Sequence, residues 1–568
     1  MKSYRLMLLL MLPGILTLTA MSLSLAASPA PAQATAGKAE KSRIESAATL
    51  RVDPLLIAEA HEAWGLIASP NNPIWPGWDA SSTPLLFYLP GEQDVLVNHP
   101  HPPAGFLPYD GPVRFPGWRI LLKNGPTLIQ WDGQNTSKDV EGTRTLVVAD
   151  TLSNMRNRMS ALIEEARPVG EKVQGLHYSN LATDPYGQLA MVVHEAFHVF
   201  QDKQAPDKGA NEMLLLYYPV LSVQNNVGFA QEGSALAEAL RATDAAAFRR
   251  AAVRWLALRK DRRASLPPKT LEYEDGTEFK EGLAKYTEYR LFQVLEGRSP
   301  GPAMTWAQGF VGYADLAPQR EELIEKMIKN MSGAANVNND PYGTAPLRMR
   351  LYYSGMAAGV MLDRLSPGWK SHIFSPDASL TSLLEEALKP SPAELDQALK
   401  EAKGEADYAS LVESKTRLAQ EGKAHAEAML KEIEAGPGVG LIVDYSALSS
   451  PQLGMAFTPF GITVVDGERT IFSQIPVQVT FGQEGELAQK VPAPLLRDTG
   501  RRLVRFRLPQ SATRAEVEKA LGSAPTSGGT VANLALDLPG ATVKAAKAQI
   551  RWSGENLIIV LLKGGAEK

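Results

Sequence analysis

The chain has 568 residues, 44% of them hydrophobic and 21% charged, which is the composition of an ordinary globular protein with room for two to four domains and a large apolar core. Its net charge of −4 and the lack of any basic block give no electrostatic case for nucleic-acid binding. With no cysteine at all, a disulfide framework and a lipid-modified cysteine anchor are excluded.

The N-terminus reads as a secretory signal over residues 1–34. Lys2 and Arg5 are its positive region, Leu6 to Leu18 its apolar region, broken by Pro13, and small residues around Ala30, Ala32 and Ala34 its cleavage region. The mature chain is therefore expected to be exported, periplasmic or secreted in a bacterium, relying on core size rather than disulfides for stability. No later stretch is long and apolar enough for a span, so no stable membrane span is expected once the signal is removed.

Residues 35–150 are expected to form a small mixed, β-rich unit. Residues from about 28 to 40 are rich in Ala, Pro, Ser and Gln and are expected to be a disordered mature N-terminus, and a helix follows from Pro54 to about Trp64. Short strands are predicted at Pro84 to Leu89, Arg119 to Leu122, Thr127 to Trp131 and Thr143 to Val148. His99 and His101 lie two apart in a proline-rich loop, where turn residues are expected rather than ligands.

From 151 to 435 the pattern is helical. Helices are predicted at Leu152 to Ala166, at about 185–203, and as a pair at Gly228 to Ala242 and Ala245 to Arg262. Others follow at Thr277 to Leu295, Pro318 to Met331 and Met349 to Leu365, the last stopped by Ser366-Pro367-Gly368. A Glu/Lys/Ala-rich helical stretch over 392–435, with a break near Gly404, presents its charges to solvent. Gly436-Pro437-Gly438 marks a boundary. Beyond it, over 436–568, strands are predicted at Gly440 to Val443, Gly461 to Val465, Val477 to Phe481, Arg502 to Leu508, Lys547 to Trp552 and Asn556 to Leu562. Their spacing suggests a β-sandwich or barrel-like domain.

The 185–203 helix carries the chemistry. Asp184 supplies its N-cap and Pro185 its first residue, while Ala190, Val193, Phe197 and Phe200 recur at helical spacing. Within it stands His194-Glu195-Ala196-Phe197-His198, an HExxH sequence. Histidines at i and i+4 share one helix face and can reach one ion, and the intervening Glu195 is placed as a general base for a water on that ion. A catalytic zinc site needs a third protein ligand and an open position. No HxxGxxH continuation supplies a third histidine, but two glutamates open EG sequences on later helices, Glu232-Gly233 and Glu281-Gly282.

HExxH followed by Glu281-Gly282-Leu283-Ala284-Lys285-Tyr286, an EGxAxY sequence, resembles the gluzincin metallopeptidases, which include thermolysin-like and aminopeptidase-like enzymes. The resemblance spans about 185–365 and implies a Zn²⁺ cofactor held by His194, His198 and the Glu of the second motif. Glu281 matches that motif more fully and is favoured. Glu232 stands at the more usual separation from His198, and alternating packing of the four helices would bring both to one end of a bundle. Tyr353 is nominated to stabilise the oxyanion, with Tyr286 and Tyr289 as rivals, and Asp202, one turn after His198, as a residue that could orient an imidazole. The expected fold is α+β, a mainly helical zincin-like domain between the mixed N-terminal unit and a β-rich, sandwich-like C-terminal domain. The expected function is an exported zinc peptidase acting on a peptide or protein substrate. Two alternatives stand beside it, an inactive peptidase-fold protein that binds or associates with the envelope, and a helical structural protein without metal.

Overall fold

A computed structural model of the protein describes residues 49–130, 133–151, 153, 184–307, 309–335, 337, 339–449 and 452–564. The expected secretory signal lies outside these residues, as does the Leu152 to Ala166 helix but for Ser153. The fold is α+β, with a helical middle and a β-rich C-terminal region. No helix among the described residues is long and apolar enough to cross a membrane.

The chain separates into two interleaved compact units. The first takes the described parts of Met1–Lys208, Lys280–Ile324 and Leu362–Ala378; the second takes Gly209–Phe279, Glu325–Met361 and Ser379–Lys568. The expected linear order of domains is thus crossed, because the helical region 151–435 contributes to both.

In the first unit, α1 (Pro54–Ile67) is followed by β1 (Leu85–Leu89), β2 (Gln93–Val97), β3 (Leu107–Pro108), β4 (Ile120–Asn124), β5 (Thr136–Val140) and β6 (Thr143–Ala149). They form one sheet in the order β3-β4-β2-β1-β6-β5, antiparallel except for the parallel pair β1 and β6. The run Leu85-Leu86-Phe87-Tyr88-Leu89 is buried throughout, as a strand covered on both faces must be. Leu86, Tyr88, Leu96, Leu121, Ile129, Val147 and Ala149 make one continuous core under it. The predicted strand at Thr127 to Trp131 does not form at Thr127 to Gln130, because side chains take up its backbone groups. Leu128 N donates to Asp94 Oδ2 at 2.9 Å and Thr127 Oγ1 donates to Ile129 O at 2.6 Å.

Next comes α2 (Pro185–Gln204), with Asp184 Oδ1 accepting from Tyr186 N and Pro185 in the first turn, as its sequence predicts. It packs against α1, β6 and α6 (Leu283–Leu295), all within the first unit.

In the second unit, α3 (Val223–Arg241) pairs with α4 (Ala245–Arg263), and α5 (Pro268–Thr277) runs into a π-helical turn, Glu278–Gly282, that continues directly as α6. Along the chain come α7 (Ala317–Ser332) and α8 (Ala345–Leu365), each divided between the two units, and α9 (Trp369–His372), which belongs to the first. After α10 (Leu380–Leu388), the expected break appears between α11 (Pro392–Lys403) and α12 (Tyr408–Ala435), with Gly404 capping α11. The strands beyond are β7 (Gly440–Asp444), β8 (Leu453–Ala456), β9 (Ile462–Val464), β10 (Arg469–Phe472), β11 (Gln478–Phe481), β12 (Gly485–Gln489), β13 (Leu495–Asp498) and β14 (Leu503–Arg507). Helix α13 (Arg514–Leu521) precedes β15 (Ser527–Leu538), β16 (Ala541–Ser553) and β17 (Asn556–Leu561). These strands are hydrogen-bonded into one eleven-stranded sheet, with β15 attached to β16 beside the main path. Ile433 of α12 packs on Ile471 and Leu496 of that sheet. Arg507 caps the end of α12 by donating to Ile433 O at 3.1 Å and Glu434 O at 2.6 Å.

Candidate metal centre

His194, Glu195 and His198 are presented by α2, whose adjacent flank is clamped in aromatic side chains. Phe197 is fully buried, with ring centroids 4.8 Å from Trp75, 5.1 Å from Trp78 and 5.7 Å from Phe200. Because Phe197 adjoins His198 in sequence, fixing its ring fixes the rotation of the helix and therefore the direction of both imidazoles.

Glu281 arrives from the π-helical turn. One of its carboxylate oxygens, Oε2, lies 3.4 Å from His194 Nε2 and 3.4 Å from His198 Nε2. Among the described residues, His194, His198 and Glu281 are the group whose ligand atoms all lie within 4.8 Å of one another. These spacings exceed the roughly 2.7–3.2 Å of an N–H···O hydrogen bond. They match the edge of a tetrahedron: ligands about 2.1 Å from a central zinc at tetrahedral angles stand roughly 3.4 Å apart. An octahedral arrangement at similar bond lengths would bring them to about 3.0 Å. The donor set fits zinc, with two imidazole nitrogens and one carboxylate oxygen.

The other nitrogen of each ring has an acceptor. His194 Nδ1 is 2.7 Å from Glu288 Oε1, and Glu288 Oε2 receives Lys285 Nζ at 2.7 Å. His198 Nδ1 is 2.9 Å from Gln201 Oε1. With a proton on each Nδ1, both Nε2 lone pairs face the same point as the Glu281 oxygen. Burial opposes charging of His194, yet Glu281 and Glu288, with Glu195 beyond them, outweigh it and raise its pKa to about 9. This is a place where positive charge belongs, and a divalent cation would take the proton's role. Burial also opposes ionisation of Glu288, but Lys285 and His194 hold its carboxyl down at about 2. Glu195 is half-buried, and its pKa is raised by burial despite the pull of both histidines. His198, Glu195 and Glu281 each keep partial exposure, so solvent reaches the cluster.

Glu232, the alternative third ligand, is not in this group. It lies in the second unit with no exposure, accepting from Arg259 Nη1 at 3.2 Å and from Arg262 Nε. Arg262 also holds Glu274 through two bonds, 2.6 and 3.0 Å. Glu232 is thus one anion of a buried ion-pair network, with its oxygens committed to guanidinium groups. Its neighbour Gly233 is a glycine for packing, since Met331 Cβ stands where a Gly233 Cβ would go.

Tyr286 is withdrawn from oxyanion duty because its hydroxyl donates to Asp363 Oδ2 at 2.7 Å. Tyr289 is buried on α6. Tyr353 belongs to the second unit with a buried side chain, so its nomination rests on sequence alone. Asp202 pairs with Lys280 and, at 3.3 Å, with Arg144, and the residue bonded to His198 is its neighbour Gln201. His99 is structural: its Nε2 faces Val140 O at 3.0 Å and its Nδ1 accepts from His101 N at 3.2 Å.

Glu288, Lys285 and Gln201 were missed in the sequence, although helical spacing offered a signal. Glu288 is two turns beyond Glu281, and Gln201 is three residues beyond His198. The chain matches no protein-family model, no curated protein and no solved structure.

Proposed function

We propose that the protein is a zinc-dependent hydrolase of peptide bonds, exported from the cell that makes it. The observation that carries the metal reading is the single Glu281 oxygen equidistant, at 3.4 Å, from two histidine nitrogens. A zinc ion held there by His194, His198 and Glu281 would supply Lewis-acid polarisation of a water and of the scissile carbonyl. Glu195, beside both histidines, takes the proton of the attacking water and passes it to the departing amine. Glu288, on His194 Nδ1, keeps that imidazole in the tautomer that binds metal. The choice of a peptide bond among acyl substrates comes from the resemblance of HExxH and EGxAxY to gluzincins, and the choice of export from the charged and apolar N-terminus. The intact base argues against a site kept only for binding, which has no use for Glu195.

Zinc in the purified protein, measured by elemental mass spectrometry beside His194→Ala, tests the metal reading. Cleavage of a peptide library with Glu195→Gln as control tests the chemistry. Stoichiometric zinc, lost in His194→Ala, with cleavage lost in Glu195→Gln, is expected. Folded wild-type protein that takes up no zinc after reconstitution would refute the proposal.

A further inference from the structure

His194 is oriented by a carboxylate, whereas His198 is not. We infer that Gln201 is the positioning residue for His198, fixing the imidazole in the form that binds metal; this rests on the metal reading of the same cluster. Gln201 lies in α2 three residues beyond His198, on the same helix face, and is 1% exposed. Its Oε1 is 2.9 Å from His198 Nδ1. Only an Nδ1–H can donate to that oxygen, and an imidazole with its proton on Nδ1 has its lone pair on Nε2. That Nε2 is the atom 3.4 Å from Glu281 Oε2. Moving the proton to Nε2 would aim an N–H at the Glu281 carboxylate and leave no lone pair for a cation. The amide therefore selects the ligating tautomer and sets the plane of the ring.

A neutral acceptor also suits the charge of the site. Glu281, Glu195 and Glu288 already surround the cation position, and Lys285 offsets one of them. An amide orients the second imidazole without adding a fourth anion, which leaves more of a cation's charge available to polarise what binds to it.

The test is zinc affinity of the full chain, made metal-free and titrated against a chromophoric chelator, for wild type, Gln201→Met, Gln201→Glu and His194→Ala. Methionine keeps the length and volume of the side chain but accepts no such bond; glutamate keeps the acceptor and adds charge. A positioning role gives a 10–100-fold weaker Kd for Gln201→Met, the range usual for such outer partners, with Gln201→Glu near wild type. A packing role gives the reverse order, because methionine fits a buried position and an extra carboxylate does not. Circular dichroism of the metal-free variants checks folding, and Gln201→Asn, too short to reach Nδ1, replaces Gln201→Met if that protein fails to fold. Wild-type binding that is lost in His194→Ala but unchanged in Gln201→Met overturns the inference alone. Wild type that binds no zinc overturns the metal reading beneath it.

Discussion

Changing Glu281 and Glu232 to glutamine, one at a time, separates a ligand from a structural anion of the same residue type. Glu281→Gln removes the charged oxygen shared by the two histidines. Zinc affinity should fall by more than the roughly 10–100-fold that losing an outer partner costs. Because Glu281 keeps partial exposure, stability of the metal-free protein should change by only about 1 kcal/mol. Glu232→Gln does the opposite. Glu232 is fully buried between Arg259 and Arg262, and removing one partner of a buried pair costs about 3–5 kcal/mol. Glutamine retains one acceptor oxygen, so about 3 kcal/mol is the better figure, which lowers the melting midpoint of a unit this size by about 5 °C. Zinc content by mass spectrometry and melting by circular dichroism read the two effects separately. A folded, zinc-free Glu232→Gln protein, or a Glu281→Gln protein that holds full zinc, would refute the assignment.

The remaining predictions concern the neighbours of the site and one buried acid. Glu288→Gln, which replaces a charged acceptor on His194 by a neutral one, should weaken zinc binding about 10-fold in a chelator titration, roughly 1.4 kcal/mol; an unchanged Kd would count against orientation of His194 by charge. Tyr286→Phe should leave peptide cleavage intact and cost about 1 kcal/mol of stability through the lost bond to Asp363; a large fall in kcat with stability unchanged would return Tyr286 to the list of oxyanion donors. Glu59, 1% exposed on α1, has its pKa raised to about 9 by burial and by Asp53 and Asp184. The folded form then binds its proton more tightly than the unfolded chain does. The stability it contributes is whole below about pH 4.5, declines above that and is lost by about pH 9. Denaturant titrations should show on the order of 3 kcal/mol lost between pH 4.5 and 7 from this group. Glu59→Gln should flatten that slope, and an unaltered slope would contradict it.

Much of the helical framework was legible because its determinants are local. Asp184-Pro185 starts α2, Gly404 ends α11, and Asp53 caps α1, each through a side chain or backbone preference contained in a few residues. The sheets were less legible because their determinants lie on other strands. Strand β5, Thr136–Val140, is polar in sequence and is a strand through its register with β6. Likewise, only the end of β16 has strand character by composition. Its Ala- and Lys-rich start at Ala541 is held between β12 and β15.

The site divides in the same way, and the ambiguity over its third ligand has a topological cause. His194, Glu195 and His198 are one turn of one helix, so spacing alone identifies them. Separation along the chain pointed to Glu232, since that criterion takes the ligand helices to follow one another inside one domain. Here the chain leaves the first unit after Lys208, builds α3, α4 and α5 in the second, and re-enters the first at Lys280. Glu281 is the next residue. The long separation measures that excursion and carries no information about distance in space. Motif content agrees with the grouping in space, where Glu281 and not Glu232 stands with the two histidines. Even so, the motif did not announce the π-helical turn that carries Glu281. A π turn inserts a residue into the helical phase and turns the side chains after it. Glu281, Lys285 and Glu288 all depend on that phase: the first faces both imidazoles, the last meets the far nitrogen of His194, and Lys285 joins the last. Deleting one residue from the turn would restore an α-helix and should rotate Glu281 away from the histidines, abolishing zinc binding while α6 remains helical.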